Sequence, residues 1–185
     1  LERCAQDSLN YTQSEAAYFL GYIYLYQAKV PQKAEYWLRQ LTTAYPTNPL
    51  FRRMHAEALY ELGHYDQARA LVQAWLNQYE RACPHPPCHL IAGRYPTSEA
   101  VQGYGLVGMT YREERKYEEA QQAFRRMDTL LATLRSFPAP TWARLQREAA
   151  LLEKRMGLEA KAAQRMKALQ ERKEVPAFLK KPLPN

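Results

Sequence analysis

The sequence predicts an all-α protein built as a solenoid of antiparallel helix pairs, and three observations predict it. The composition favours helix: among 185 residues there are only 7 Gly, with much Ala, Leu, Glu, Arg and Gln. Apolar residues recur at three- and four-residue steps, as in Ala56, Leu59 and Leu62, or Ala68, Leu71, Val72 and Trp75. One helix–turn–helix plan also returns along the chain. Ala34, Ala68, Ala120 and Ala162 hold the same place in successive copies, separated by 34, 52 and 42 positions.

The pair from Pro49 to Tyr79 shows the plan best. Gly63 supplies a permissive backbone where the first helix stops, and Asp66 lies favourably in the first turn of the next. Before it, residues 1–11 read as the end of a helix. A cap at Thr12 or Ser14 opens a helix over 14–28, whose partner runs over 31–45 with Pro31 in its first turn. Pro46 and Pro49 then break the chain. A third pair is predicted at 97–114 and 117–135, and residues 136–141 (SFPAPT) form a rigid break. Trp142, Leu145, Ala149, Leu152 and Met156 make the stripe of the next helix, which Gly157 ends. Leu158, Ala162, Met166 and Leu169 belong to the last. The tail, with Pro176, Pro182 and Pro184, is expected to be extended or disordered unless Phe178 docks back.

Leu20-Gly21-x-x-Tyr24 followed by Ala34, His55-Ala56-x-x-Leu59 followed by Ala68, and Val107-Gly108-x-x-Tyr111 followed by Ala120 and Phe124 repeat with a period of about 34. In this the chain resembles the tetratricopeptide repeat family over roughly residues 14–170. The resemblance implies a right-handed α-solenoid of about four repeats, 14–46, 49–80, 97–135 and 140–172, in one domain over 1–172. A loop insertion falls at 81–96 and the tail at 173–185. The departures are a one-residue insertion near Val30-Pro31, the absence of the usual early Trp, and the long insertion itself.

Stacked pairs create a concave surface, and in this family the first helix of each repeat lines it. Transferred by phase, the resemblance implies a groove of Tyr18, Tyr22 and Tyr26, then Arg53, Glu57 and Tyr60, then Leu106, Met109 and Arg112, then Arg147 and Leu151. Tyr and Arg are enriched among binding hot spots, and Arg53 and Arg112 are expected to fix a partner's carboxylate. The same Tyr could instead pack between repeats. The family's carboxylate clamp for acidic tails needs a Lys/Asn/Arg set, and these positions hold Tyr, Glu and Leu. The function implied is a non-enzymatic scaffold that binds a segment of another protein. The alternative is an assembly segment of a larger machine, its groove filled by its own termini.

Residues 1–92 hold 8 Lys/Arg and 8 Asp/Glu, whereas residues 93–185 hold 18 and 11 and carry the whole net charge of +7. A solvated basic face accounts for this, and a surface for an acidic partner is the sharper reading. Nucleic acid is not expected, because the cations alternate with Glu and no recognition motif is present. Cys83, His85, Cys88 and His89 lie within seven residues, yet their spacing matches no established zinc finger. An unmodified loop is expected there, with a Cys83–Cys88 disulfide and a metal as alternatives. No cofactor motif, glycine-rich phosphate loop, nucleophile elbow or His-Glu-x-x-His pair occurs, so no catalysis is expected. Glu113, Glu114, Glu118 and Glu119 are expected to be solvated. No apolar run approaches the ~20 residues that span a bilayer. The chain starts with Leu and is expected to be a fragment or processed form. Its compartment stays open between cytoplasmic and, given an upstream signal, periplasmic or secreted.

Overall fold

The computed structural model describes residue 2, residues 13–87 and residues 97–184. Among the described residues there are eight α-helices: α1 (Gln13–Tyr22, continued by a π-helical turn Ile23–Gln27), α2 (Pro31–Ala44), α3 (Pro49–Glu61), α4 (Tyr65–Ala82), α5 (Thr97–Glu113), α6 (Tyr117–Ala132), α7 (Ala139–Arg155) and α8 (Glu159–Glu171). They pack sequentially in pairs, α1 with α2, α3 with α4, α5 with α6 and α7 with α8, and α2 and α4 also pack on α3 and α5. The secondary structure of the described residues is all-helical, as the periodicity predicts.

Each pair turns in the same way. Lys29, Gly63, Arg115 and Gly157 have positive φ and lie five residues before Ala34, Ala68, Ala120 and Ala162. In the last three turns this residue's N–H bonds the carbonyl three residues back. The next N–H reaches the carbonyl five back: His64 to Leu59 at 2.9 Å, Lys116 to Tyr111 at 2.9 Å, Leu158 to Glu153 at 2.8 Å. These are Schellman closures. In the first turn Val30 N–H reaches one residue further, to Tyr24 O at 2.9 Å. That extra residue is the insertion seen in the sequence near Val30-Pro31, and the structure absorbs it earlier, in the π turn of Ile23–Gln27.

The small residue of the Leu-Gly motif sets how closely the helices of a pair approach. A Cβ on Gly21 would lie 2.7 Å from Leu38, and one on Gly108 would lie 2.8 Å from Phe124. In the second pair, where the first helix carries Ala56, the matching position of α4 is the smaller Val72. Three apolar clusters result. The first joins α1, α2 and α3, the second runs from α3 to α7, and the third joins α7, α8 and the tail.

The tail is not loose. Val175 and Leu179 are buried against α7 and α8, and Ala177–Lys180 forms a 3-10 turn. The residue expected to dock, Phe178, is 65% exposed, and its neighbour Leu179 docks instead. Cys83 is disulfide-bonded, so its sulfur is no thiolate for a metal and the unmodified loop expected here is replaced. Cys88 and His89 lie outside the described residues. Glu113 pairs with Arg112, and Glu114 with Arg69 and Lys116, so these two are not free solvated acids.

Candidate functional site: the concave groove

The first helices of the four pairs line one continuous groove. Its wider part, about 360 Å³, has Tyr18, Tyr22 and Tyr26 on one wall. Arg53, Gln102, Pro140, Arg144 and Phe178 complete its lining. A narrower part of about 50 Å³ continues past Glu57, Tyr60, Leu106 and Met109. Tyr26, Gln102 and Arg144 border both parts.

The π turn helps build the tyrosine wall. In a regular α-helix a four-residue step overshoots a full turn by about 40°, so side chains at 18, 22 and 26 would drift around the axis. The wider π turn counters that drift, and the rings of Tyr22 and Tyr26 stay 4.9 Å apart. Tyr18 packs on Phe51 with ring centroids 6.0 Å apart. Tyr22 remains exposed although it sits among apolar neighbours.

A polar network ties the floor together. Tyr26 donates its hydroxyl to Glu57 at 2.6 Å. Arg53 donates to Glu57 from Nη1 at 2.7 Å and to Glu99 from Nε at 2.7 Å. Arg144 reaches Glu57 at 3.4 Å. Each of the four repeats thus contributes a first-helix side chain, and Glu57 is their junction. Burial works against ionised Glu57, but the Arg53 and Arg144 guanidiniums outweigh it and hold its carboxyl below the usual range. Burial likewise works against charged Arg53, and the Glu57 and Glu99 carboxylates more than offset it.

Eight of the sequence-predicted residues line this groove: Tyr18, Tyr22, Tyr26, Arg53, Glu57, Tyr60, Leu106 and Met109. Two others do not. Arg112 is buried, donating to Glu148 Oε2 at 2.5 Å and to Glu113 Oε1 at 2.7 Å. Arg147 is taken up by the tail, donating to the carbonyls of Leu179, Lys181 and Pro182. Nor is Arg53 free for a partner's carboxylate, since its guanidinium already holds two carboxylates of its own chain. Arg144, which the phase transfer missed, is the half-exposed cation that borders both parts. Register with Leu50 and Gln102, six residues before Ala56 and Gly108, would have found it.

Ionisation of the buried tyrosines predicts a pH dependence. Burial, followed by the Glu57 carboxylate, raises Tyr26. Tyr60 is pushed up to about 12, chiefly by burial. Burial and the hydrogen bond to Glu80 raise Tyr104. A phenol whose folded pKa lies above its unfolded value near 10 contributes stability in full below pH 10, and that stability is lost as pH rises through the folded value. Tyrosinate absorbance should therefore show a late-ionising set beyond pH 10 whose titration coincides with loss of helical circular dichroism. Ionisation of all tyrosines near pH 10 in the folded protein would contradict this.

No helix among the described residues is long and apolar enough to cross a membrane. Comparison with curated proteins finds no match. The sequence profile of the tetratricopeptide repeat family matches residues 25–84, which take in the end of the π turn from Leu25, the first complete turn-to-turn repeat and all of α4. The matched stretch is similar to tetratricopeptide repeats, a family of typically non-catalytic repeats that points to protein–protein interaction, and the eight helices of the described residues, packed sequentially in pairs, are consistent with such repeats.

Proposed function

We propose that this chain is a non-enzymatic interaction scaffold whose concave groove binds a segment of another protein. The observation that carries the reading is the groove itself. Three tyrosines line it together with Phe178 and Pro140, and half-exposed Arg144 makes, among the described residues, one long polar contact, to Glu57. Aromatic walls offer large contact area at small entropic cost, and a cation with spare donors can meet a carboxylate or carbonyls of an entering chain. The surplus positive charge of the C-terminal half favours an acidic partner segment.

Tyr22→Ala and Arg144→Ala are each expected to weaken partner capture by about 1–2 kcal/mol, on the order of 5- to 30-fold. Tyr22 is exposed and Arg144 half-exposed, so the melting temperature should move little. Quantitative affinity capture from source extract with the three proteins measures both effects. Binding that ignores these changes and falls when Lys180 and Lys181 are removed would place recognition in the basic tail and end the groove reading.

A second reading is an assembly segment with no independent ligand, its groove filled by its own terminus. It draws support from Phe178 and Leu179, which already border the groove.

A further inference from the structure

The C-terminal tail lies against the fourth repeat as a bound peptide would. Arg147 donates to three of its carbonyls, with Pro182 O at 3.1 Å, and Lys154 Nζ donates to Pro184 O at 2.8 Å. Both donors are on α7, a first helix, on which the family phase would place groove residues. Recognition through main-chain carbonyls suits this segment. Pro182 and Pro184 lack N–H donors and set an extended backbone, leaving carbonyls as its main-chain polar groups there. The apolar hold comes from Val175 and Leu179, buried, with Leu183 packed on the same cluster and Phe178 displayed at the groove edge.

The charges at this place are alike. Arg147 and Lys154 on α7 receive a tail that brings Lys181, whereas Lys180 donates to Gln170 O at the end of α8 and Arg144 in the adjoining groove pairs with Glu57. A tail carrying Lys181 gains nothing from the charges of Arg147 and Lys154, whereas an acidic extended chain would be drawn to the same donors.

We propose that residues 175–184 are a built-in ligand of the concave face, which an acidic extended segment of a partner displaces by taking over the carbonyl contacts of Arg147 and Lys154. Displacement by a partner rests on the groove reading above. The tail's binding does not.

A tethered ligand presents itself at an effective concentration on the order of millimolar. A free copy must compete with it, so the site is closed to peptide in the intact chain and open once the tail is released. The test uses full-length protein and a fluorescent peptide spanning residues 174–185. Leu179→Asp releases the tail while leaving Arg147 and Lys154 in place, and Leu179→Ala is the milder companion. Circular dichroism establishes that the helices persist in each.

The peptide is expected to bind the Leu179→Asp chain at least about tenfold more tightly than the wild-type chain. Adding Arg147→Gln to the released chain should abolish that binding. A peptide carrying Lys181→Glu should bind the released chain several-fold more tightly than the native one. Equal affinity for wild-type and released chains, or no binding to either released variant, overturns the inference. So does tighter binding of the native peptide than of its acidic version. None of these outcomes bears on the groove reading, which the Tyr22→Ala capture assay tests with the tail in place.

Discussion

An Arg53→Ala variant is expected to lose about 3–5 kcal/mol of stability, because removing one partner of a buried ion pair leaves the others uncompensated. Read from sequence, Arg53 is a groove residue whose loss should barely alter melting. The structure reverses that. Arg53 is only 7% exposed, and it separates two carboxylates, Glu57 and Glu99, that would otherwise face each other. Without it, Glu57 keeps only Tyr26 and the 3.4 Å contact from Arg144. For a chain of this length each kcal/mol shifts melting by roughly 2–4 °C, so a fall on the order of 10 °C is expected in a thermal melt. A triple replacement, Arg53→Met with Glu57→Leu and Glu99→Gln, should cost markedly less than Arg53→Ala, since it removes the charges together. A single variant that melts with the parent would show that the network contributes nothing to the fold.

What could be read without coordinates divides along a physical line. Helix pairing was legible because burial imposes a period, and Ala34, Ala68, Ala120 and Ala162 mark positions where only a small side chain fits. The groove was legible through the same register as far as the third repeat. It failed in the fourth because a phase argument carries no information about what else occupies a surface. Arg147 is in phase with Arg53, yet the tail covers it. The roles of Arg53 and Arg112 were hidden for a related reason. Whether an arginine faces a partner or a carboxylate of its own chain depends on residues 36 to 46 positions away, such as Glu148 and Glu99. The one-residue insertion was visible as a count, but nothing in the count says which turn widens to absorb it.

The insertion after α4 raises the question of what keeps the third repeat stacked on the second, and Trp75 answers it. Trp75 is buried in α4, and it fills the space left by Gly103 of α5, where a Cβ would lie 2.8 Å from its ring. Leu76 lies beside it against the same glycine, and Tyr79 meets Thr97 across the joint at 2.9 Å. Trp75→Ala should therefore cost about 3–5 kcal/mol, the transfer loss plus the cavity it leaves. Gly103→Ala should cost about 1–3 kcal/mol by overpacking, because the neighbour it strikes is a rigid indole rather than the end of a flexible chain. The two effects share one volume. In a Trp75→Leu background the methyl of Gly103→Ala occupies space the smaller side chain vacates, and its cost should fall to near zero or change sign. Urea melts of the two single variants and the double give the coupling directly, and a coupling of at least about 1 kcal/mol is expected for residues in contact. Strict additivity would mean that the glycine and the tryptophan do not meet, and that the second and third repeats are joined by something other than this contact.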